Sequence, residues 1–209
     1  MTVDVVDVDV PAAEPTTRRR KREQLRARVE RVALDLFRQH GFEQVTVERI
    51  AAEAGVGATT FYRYFGTKDG VLFGYQSRWL QDVRLAVDGL DVGRSRAEQI
   101  RDLLTVLAGK LDAELDTMQM RDEIVARNPT LLPHTLAVQR VWEQELARSL
   151  AHRRGVEAGD LDVLADAAAV QFLVRLAFRR WRAGASANVT DGVARAVQDM
   201  VTLASDCPR

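Results

Sequence analysis

Residues 46–65, TVERIAAEAGVGATTFYRYF, constrain this chain more than any other stretch. Thr46 is placed to cap a short helix whose inner side is Ile50, Ala51 and Ala54. Gly55 supplies the left-handed residue that ends it. Val56 plugs the space behind the turn, and a second short helix follows over about 58–64. Ala51 must be small because the second helix crosses there. This spacing is that of a helix-turn-helix. It also suits an ordinary helical hairpin, so the motif by itself leaves both readings open.

The surrounding sequence is helical too. Leu25, Val29, Val32, Ala33, Leu36 and Phe37 share one face of a helix that Gly41 ends. Thr67 can cap a long helix beginning at Lys68, with Val71, Leu72, Tyr75, Trp79, Leu80 and Val83 on its apolar side. Past Gly89 and Gly93, a stripe of Ile100, Leu104, Leu107, Leu111 and Leu115 continues the pattern until Pro129 and Pro133 break it. Helices follow over about 136–152, 161–183 and 189–204, with joints at Gly155 and Gly159. The expectation is an all-α chain of about nine helices with no strand. Residues 1–17, acidic and carrying Pro11 and Pro15, have no helical period and are expected to be disordered.

Formal net charge is zero, but its distribution is uneven. Residues 1–17 carry −4, residues 18–69 carry +5, and the remainder carries −1. A basic arm, Arg18-Arg19-Arg20-Lys21-Arg22, expected to be disordered, therefore leads into the helix-turn-helix. The outer face of the second helix offers Thr59, Thr60, Arg63 and Tyr64, donors rather than acids. Together these suit a DNA groove with flanking phosphates. A solvated charge run is the plainer reading of the arm.

The stretch LFRQHGFEQVTVERIAAEAGVGATTFYRYFGTKDGVLF, residues 36–73, closely resembles the tetracycline-repressor (TetR) family of transcriptional regulators. The resemblance implies a three-helix DNA-binding head, 18–67 with its arm, and a helical ligand-binding and dimerisation body, 68–209. It also implies a homodimer on a palindromic double-stranded operator, most often as a repressor. Thr46 would touch a phosphate, and Ala58, Thr59, Thr60 and Arg63 would face the bases. Tyr62, Tyr64 and Lys68 match positions that grip the backbone. Gly57 departs from the Ser that often caps the second helix; glycine caps without a side-chain oxygen.

In the body, residues 161–183 are apolar on two sides. Leu161, Leu164, Ala168, Phe172 and Leu176 form one side; Val163, Ala167, Val170, Val174 and Phe178 form the other. A helix apolar all round is buried all round. The second side reads as a dimer interface shared with 189–204, which Val170→Asp or Val174→Asp would break. The prolines, Trp142 and the Arg-rich joint resemble an actinobacterial subgroup of the family that includes mycofactocin-associated regulators. That likeness implies an apolar effector of the acyl-CoA or fatty-acid kind. Leu104, Leu107, Met118, Met120, Ile124, Trp142, Phe172, Arg175 and Leu176 are the candidate pocket residues. Arg175 stands out as a cation in an apolar run. It could pair with Asp199 or Asp166, snorkel to solvent, or hold the acidic group of an effector.

Other classes find little support. His40, His134 and His152 are scattered without metal spacing, and neither a phosphate-binding glycine loop nor a nucleophile elbow occurs. No metal, cofactor or catalysis is expected. The single cysteine, Cys207, allows no internal disulfide. No apolar run reaches the roughly 18 residues of a membrane helix, and the acidic N-terminus is unlike a signal peptide. A cytoplasmic location is expected. A ligand-independent DNA-binding or adaptor protein is the alternative function.

Overall fold

The structure is a computed structural model, and it describes residues 17–205. The acidic tail up to residue 16 and Cys207 lie outside the described residues. The chain divides into two compact units, one ending at Val71 and the other beginning at Leu72.

The first unit contains α1 (Thr17–His40), α2 (Val47–Glu53) and α3 (Ala58–Phe65). Helix α1 starts eight residues before Leu25, where the apolar period sets in. Arg, Lys, Glu and Gln are good helix formers, so residues 18–24 extend the helix without needing an apolar face. The basic arm is thus the opening of α1, and not the disordered segment expected. Val29, Ala33, Leu34 and Phe37 of α1, Ile50 and Ala51 of α2 and Phe61 of α3 are all buried, and α2 packs on both α1 and α3. Phe37 and Phe42 lie 5.0 Å apart, and Phe61 and Phe65 5.2 Å.

Helix α4 (Gly70–Phe73) is a single turn, and α5 (Gln76–Asp88) follows after a break at Gly74 and Tyr75. One long helix from Lys68 was expected. Thr67 does cap, its hydroxyl accepting from Gly70 N at 3.1 Å, but the helix it starts stops after one turn. Gly74 has no side chain to favour the helical state there.

The second unit continues with α6 (Arg96–Asp112), α7 (Leu115–Ala126), a 3-10 turn (Pro129–Leu131), α8 (Leu132–Arg154), α9 (Leu161–Arg182) and α10 (Val189–Ser205). The described residues therefore form ten α-helices and no strand. The tenth, beyond the nine or so expected, is the one-turn α4. Pro133 does not interrupt α8 but sits in its first turn, where a proline lacks nothing that the helix needs. Ser95 and Glu98 form a reciprocal capping box on α6. Asp160 caps α9 through Asp162 N at 2.9 Å and Val163 N at 3.2 Å. Asn188 caps α10, its side-chain oxygen accepting from Asp191 N at 2.7 Å, and Asp112, the last residue of α6, accepts from Val189 N at 2.7 Å and from Thr190 N at 3.2 Å.

Helix α9 packs against α10, α8 and α6. The side carrying Val163, Ala167 and Val170 is buried in this intramolecular core. The expectation that Val170 marks the dimer interface is therefore wrong. The unpartnered side is the other one, where Leu161 is 81% exposed, Leu164 40% and Phe172 45%. The buried acids are tied by arginines. Asp166 receives Arg96 Nε at 2.9 Å and Arg154 at 2.7 Å, joining α6, α8 and α9. Glu145 receives Arg84 Nε at 2.5 Å and Arg148 at 3.1 Å.

Candidate DNA-binding face and effector cavity

The helix-turn-helix has the expected local causes. Thr46 Oγ1 accepts from Arg49 N at 3.2 Å and so caps α2. Gly55 has φ of +66°, where a β-carbon would be strained. Gly57 caps α3 with backbone alone.

Phe61 and Phe65 take the inner side of α3, which turns its other residues outward. Thr59, Tyr62 and Arg63 are exposed, while Ala58, Thr60 and Tyr64 are half-buried. Arg63 and Arg22 both lie over the Tyr64 ring, at 5.3 and 5.5 Å from its centroid. The start of α1 is thereby brought beside the second helix of the motif, and Arg20, Lys21 and Arg22 are exposed there. Arg18 and Arg19 precede them in the first turn of α1. Lys68, expected on the DNA backbone, has work inside the chain. Its ammonium donates to the Phe42 carbonyl at 2.8 Å and rests on the Phe42 ring at 4.3 Å. It ties the turn after α3 to the turn after α1.

The second unit holds a cavity of about 210 Å³. Its wall is mostly apolar and aromatic: Leu72, Phe73, Tyr75, Trp79 and Val83, then Leu107, Leu111, Met118 and Val125, then Val138, Trp142, Leu146, Val170, Val174 and Phe178. Trp142 lies 5.8 Å from Tyr75 and 5.4 Å from Trp79, ring to ring. The polar part of the wall is Arg121, Asp122, Thr135, Gln139, Gln171 and Arg175.

Of the nine residues expected at a pocket, Leu107, Met118, Trp142 and Arg175 line this cavity. Leu104 and Ile124 are buried core, Met120 and Leu176 are half-buried away from the cavity, and Phe172 is exposed. Helical phase explains the sorting. On α9 the wall takes 170, 171, 174, 175 and 178, so 172 and 176 face elsewhere. On α7 it takes 118, 121, 122 and 125, which leaves out 120 and 124.

Arg175 is exposed and donates to Gln139 Oε1 at 3.3 Å. Neither expected acid is its partner: Asp199 is engaged by Arg180, and Asp166 by Arg96 and Arg154. Arg121 carried no signal in the sequence, being one charge among several on α7. It is only 5% exposed, and its guanidinium lies over the Tyr75 ring at 4.5 Å. Burial lowers its pKa to about 10, which leaves it protonated at neutral pH. The same burial pushes the Tyr75 hydroxyl well above its ordinary value, so it stays neutral.

A three-helix head with a capped helix-turn-helix, followed by a separate helical unit with a cavity, has the layout of a helix-turn-helix transcriptional regulator. Residues 31–74 match the family described as bacterial regulatory proteins, tetR family, and residues 97–204 match the MftR C-terminal domain. The chain belongs to the tetR family of bacterial transcriptional regulators, with a body of the MftR type. It is 28% identical over 169 residues to the mycofactocin biosynthesis transcriptional regulator MftR of Mycobacterium tuberculosis, covering 79% of this chain and 83% of that one. Among solved structures, Thermus thermophilus FadR, a repressor in complex with lauroyl-CoA, is 27% identical with a TM-score of 0.56. That match covers 88% of this chain and 96% of FadR. A TetR-family regulator from Syntrophomonas wolfei shares the fold with a TM-score of 0.66 at 16% identity, over 90% of this chain and 98% of that chain. Among the described residues no helix is long and apolar enough to cross a membrane.

Proposed function

We propose that this regulator is a cytoplasmic, homodimeric repressor that leaves a palindromic operator when a small, largely apolar effector of the acyl-CoA or fatty-acid kind enters the body. The observation that carries this reading is the aromatic-walled cavity of the second unit. Its wall includes Leu72 and Phe73, the residues next in sequence to Val71, where the head ends. An effector that favours one position of that wall would bias the junction with the head. It can do so only through different affinities for the two states. The lauroyl-CoA of the FadR complex supports an acyl ligand. The exposed apolar side of α9 supports the dimer, with Met200 and Val201 of α10 also exposed. The test is a gel shift on the chain's own upstream DNA, repeated with fatty acids and acyl-CoA thioesters. Binding that no such compound reverses would remove the effector; no binding at all would remove the operator.

On this reading Arg18 to Arg22, Thr46, Tyr62 and Tyr64 serve the phosphates, Lys68 holds the turns beside them, and Ala58, Thr59, Thr60 and Arg63 face the bases. Arg63 is the only long donor among the latter. Arg63→Ala should weaken operator binding by about 1–3 kcal/mol while changing non-specific binding much less. Titration of operator and scrambled duplexes checks this, and equal losses on both would make Arg63 a phosphate contact. Arg20→Gln with Lys21→Gln should act differently. Removing one cation from a phosphate makes the slope of log affinity against log salt shallower by about 0.9. An unchanged slope would mean that the opening of α1 is merely solvated.

A further inference from the structure

A second cavity, of about 270 Å³, adjoins the one described above. It lies between α5 and the corner where α6 gives way to α7. Four residues line both cavities: Tyr75, Trp79, Leu111 and Met118. They form the partition between an inner chamber and an outer one. Helical phase on α5 sorts its other residues, Val83 lining the inner chamber and Arg78 and Asp82 the outer.

The partition has one movable member. Tyr75 and Trp79 both pack on the Trp142 ring, and Leu111 is branched. Met118 is unbranched with three rotatable bonds, so it can swing aside without moving a helix. Ion pairs close the outer chamber. Arg78 meets Glu114 at 2.6 Å and Lys110 meets Asp82 at 2.9 Å, two rungs one turn apart on α5. The two cations are 61% and 50% exposed, so the rungs stand in solvent and hold the opening only weakly.

Size and position say what the chambers suit. An apolar cavity of about 150 Å³ holds benzene. At about 210 Å³ the inner chamber therefore holds little more than one ring or a short acyl chain. Neither chamber reaches the roughly 300–1,000 Å³ of drug-sized pockets, whereas the two joined do. The lining of the outer chamber comes from α5, α6 and α7 and their joints, with nothing from α9 or α10. A dimer formed through those last two helices leaves it accessible.

We propose that the two chambers are one channel for an unbranched aliphatic chain. Its methyl end lies among the aromatic rings of the inner chamber, the chain passes Met118, and its polar end emerges between α5 and the α6–α7 corner, past the two rungs. This rests on the effector-responsive reading and narrows it to a straight-chain acyl compound selected by length. A free fatty acid and an acyl thioester share that chain, and the arms of the experiment separate them.

Octanoate, dodecanoate, the branched 2-butyloctanoate and the coenzyme A thioesters of all three are titrated into the full chain. Calorimetry follows binding, and a gel shift follows release of operator DNA. In at least one series, free acid or thioester, the dodecanoyl compound should bind about tenfold or more tightly than the octanoyl one and than its branched isomer, which has as many carbons but cannot thread past Met118. The series that does so identifies the source of the chain. Ala113 is exposed and lines the outer chamber only, so Ala113→Trp fills that chamber and leaves the inner one as it is. It should bring the dodecanoyl compound to within about threefold of the octanoyl one, with octanoyl affinity within about twofold of the parent. If that variant does not fold, Met118→Ile tests the same passage. Similar in size but stiff at its β-carbon, it should also remove the preference for the longer chain. A length preference that survives Ala113→Trp overturns the proposal, and so does equal binding of the straight and branched isomers in both series. Either result with operator release intact leaves the effector-responsive reading standing. Failure of every compound to bind or release overturns both.

Discussion

Val170→Asp is expected to leave little folded protein, whereas Phe172→Asp, two residues along the same helix, should leave a folded chain that no longer dimerises. Val170 is 1% exposed, inside the core that α9 makes with α8 and α10, and it also lines the cavity. A carboxylate there loses the burial of valine, about 1.5–3 kcal/mol, and adds the cost of an unpaired buried charge, several kcal/mol more. Set against the 5–15 kcal/mol that hold an ordinary domain together, that sum is close to the whole. Phe172 is 45% exposed, and its side of α9 carries Leu161 and Leu164 uncovered. An aspartate there remains hydrated in the monomer and costs the monomer little. In a twofold contact the carboxylate would be buried in the apolar seam once from each copy, so its penalty falls on association. Light scattering and circular dichroism on both variants decide the matter. A Phe172→Asp chain that remains dimeric would move the interface off this face. A Val170→Asp chain that folds and melts normally would contradict the core described for α9.

The contrast between these two positions shows how far the sequence could be read. That 161–183 is helical and apolar on two sides is plain from the residues. Which side meets the rest of the chain is not, because a valine-and-alanine face and a leucine-and-phenylalanine face both read simply as apolar. Only the position of α10 decides it. The small side, Ala167, Ala177 and Val163, admits another helix closely, while the large side projects. The head was legible almost residue by residue, since capping at Thr46, the left-handed Gly55 and the inward Phe61 depend on neighbours within one or two turns. The cavity was legible in part. Leu107, Met118 and Trp142 declare themselves as large apolar residues on helices, but so do Leu104 and Ile124, which sit one helical step out of phase. Arg121 was invisible for a different reason. A charge on an amphipathic helix reads as solvent-facing, and its burial depends on Tyr75, far earlier in the chain. The residues at 18–24 illustrate the opposite limit: good helix formers with no apolar face give no period, yet extend α1.

Gly192→Ala should destabilise the body even though alanine is the better helix residue. A β-carbon on Gly192 of α10 would lie 2.8 Å from the carbonyl oxygen of Ala177 in α9, and 3.1 Å from both its α- and β-carbons. In an unconstrained helix the exchange would gain about 0.8–1.0 kcal/mol. Here the nearest atom is backbone, which cannot rotate away, so α10 must move outward along its length. Overpacking of this kind costs about 1–3 kcal/mol, enough to outweigh the propensity. Ala177→Gly would remove the methyl contact but not the carbonyl one, so the double variant should recover only part of the stability. Displacement of α10 has a second consequence. Val189, Val193 and Ala196 are buried on its inner side, while Met200 and Val201 are exposed near its end. If α9 and α10 together form the dimer seam, separating them misaligns both halves of it. The Gly192→Ala chain should therefore unfold at lower urea and also dimerise more weakly, with operator affinity falling at concentrations where the parent is fully paired. Gly192→Leu should go further and fail to fold. A urea midpoint for Gly192→Ala at or above that of the parent would mean that the two helices tolerate a methyl between them. In that case the close approach does not limit the packing of α9 on α10.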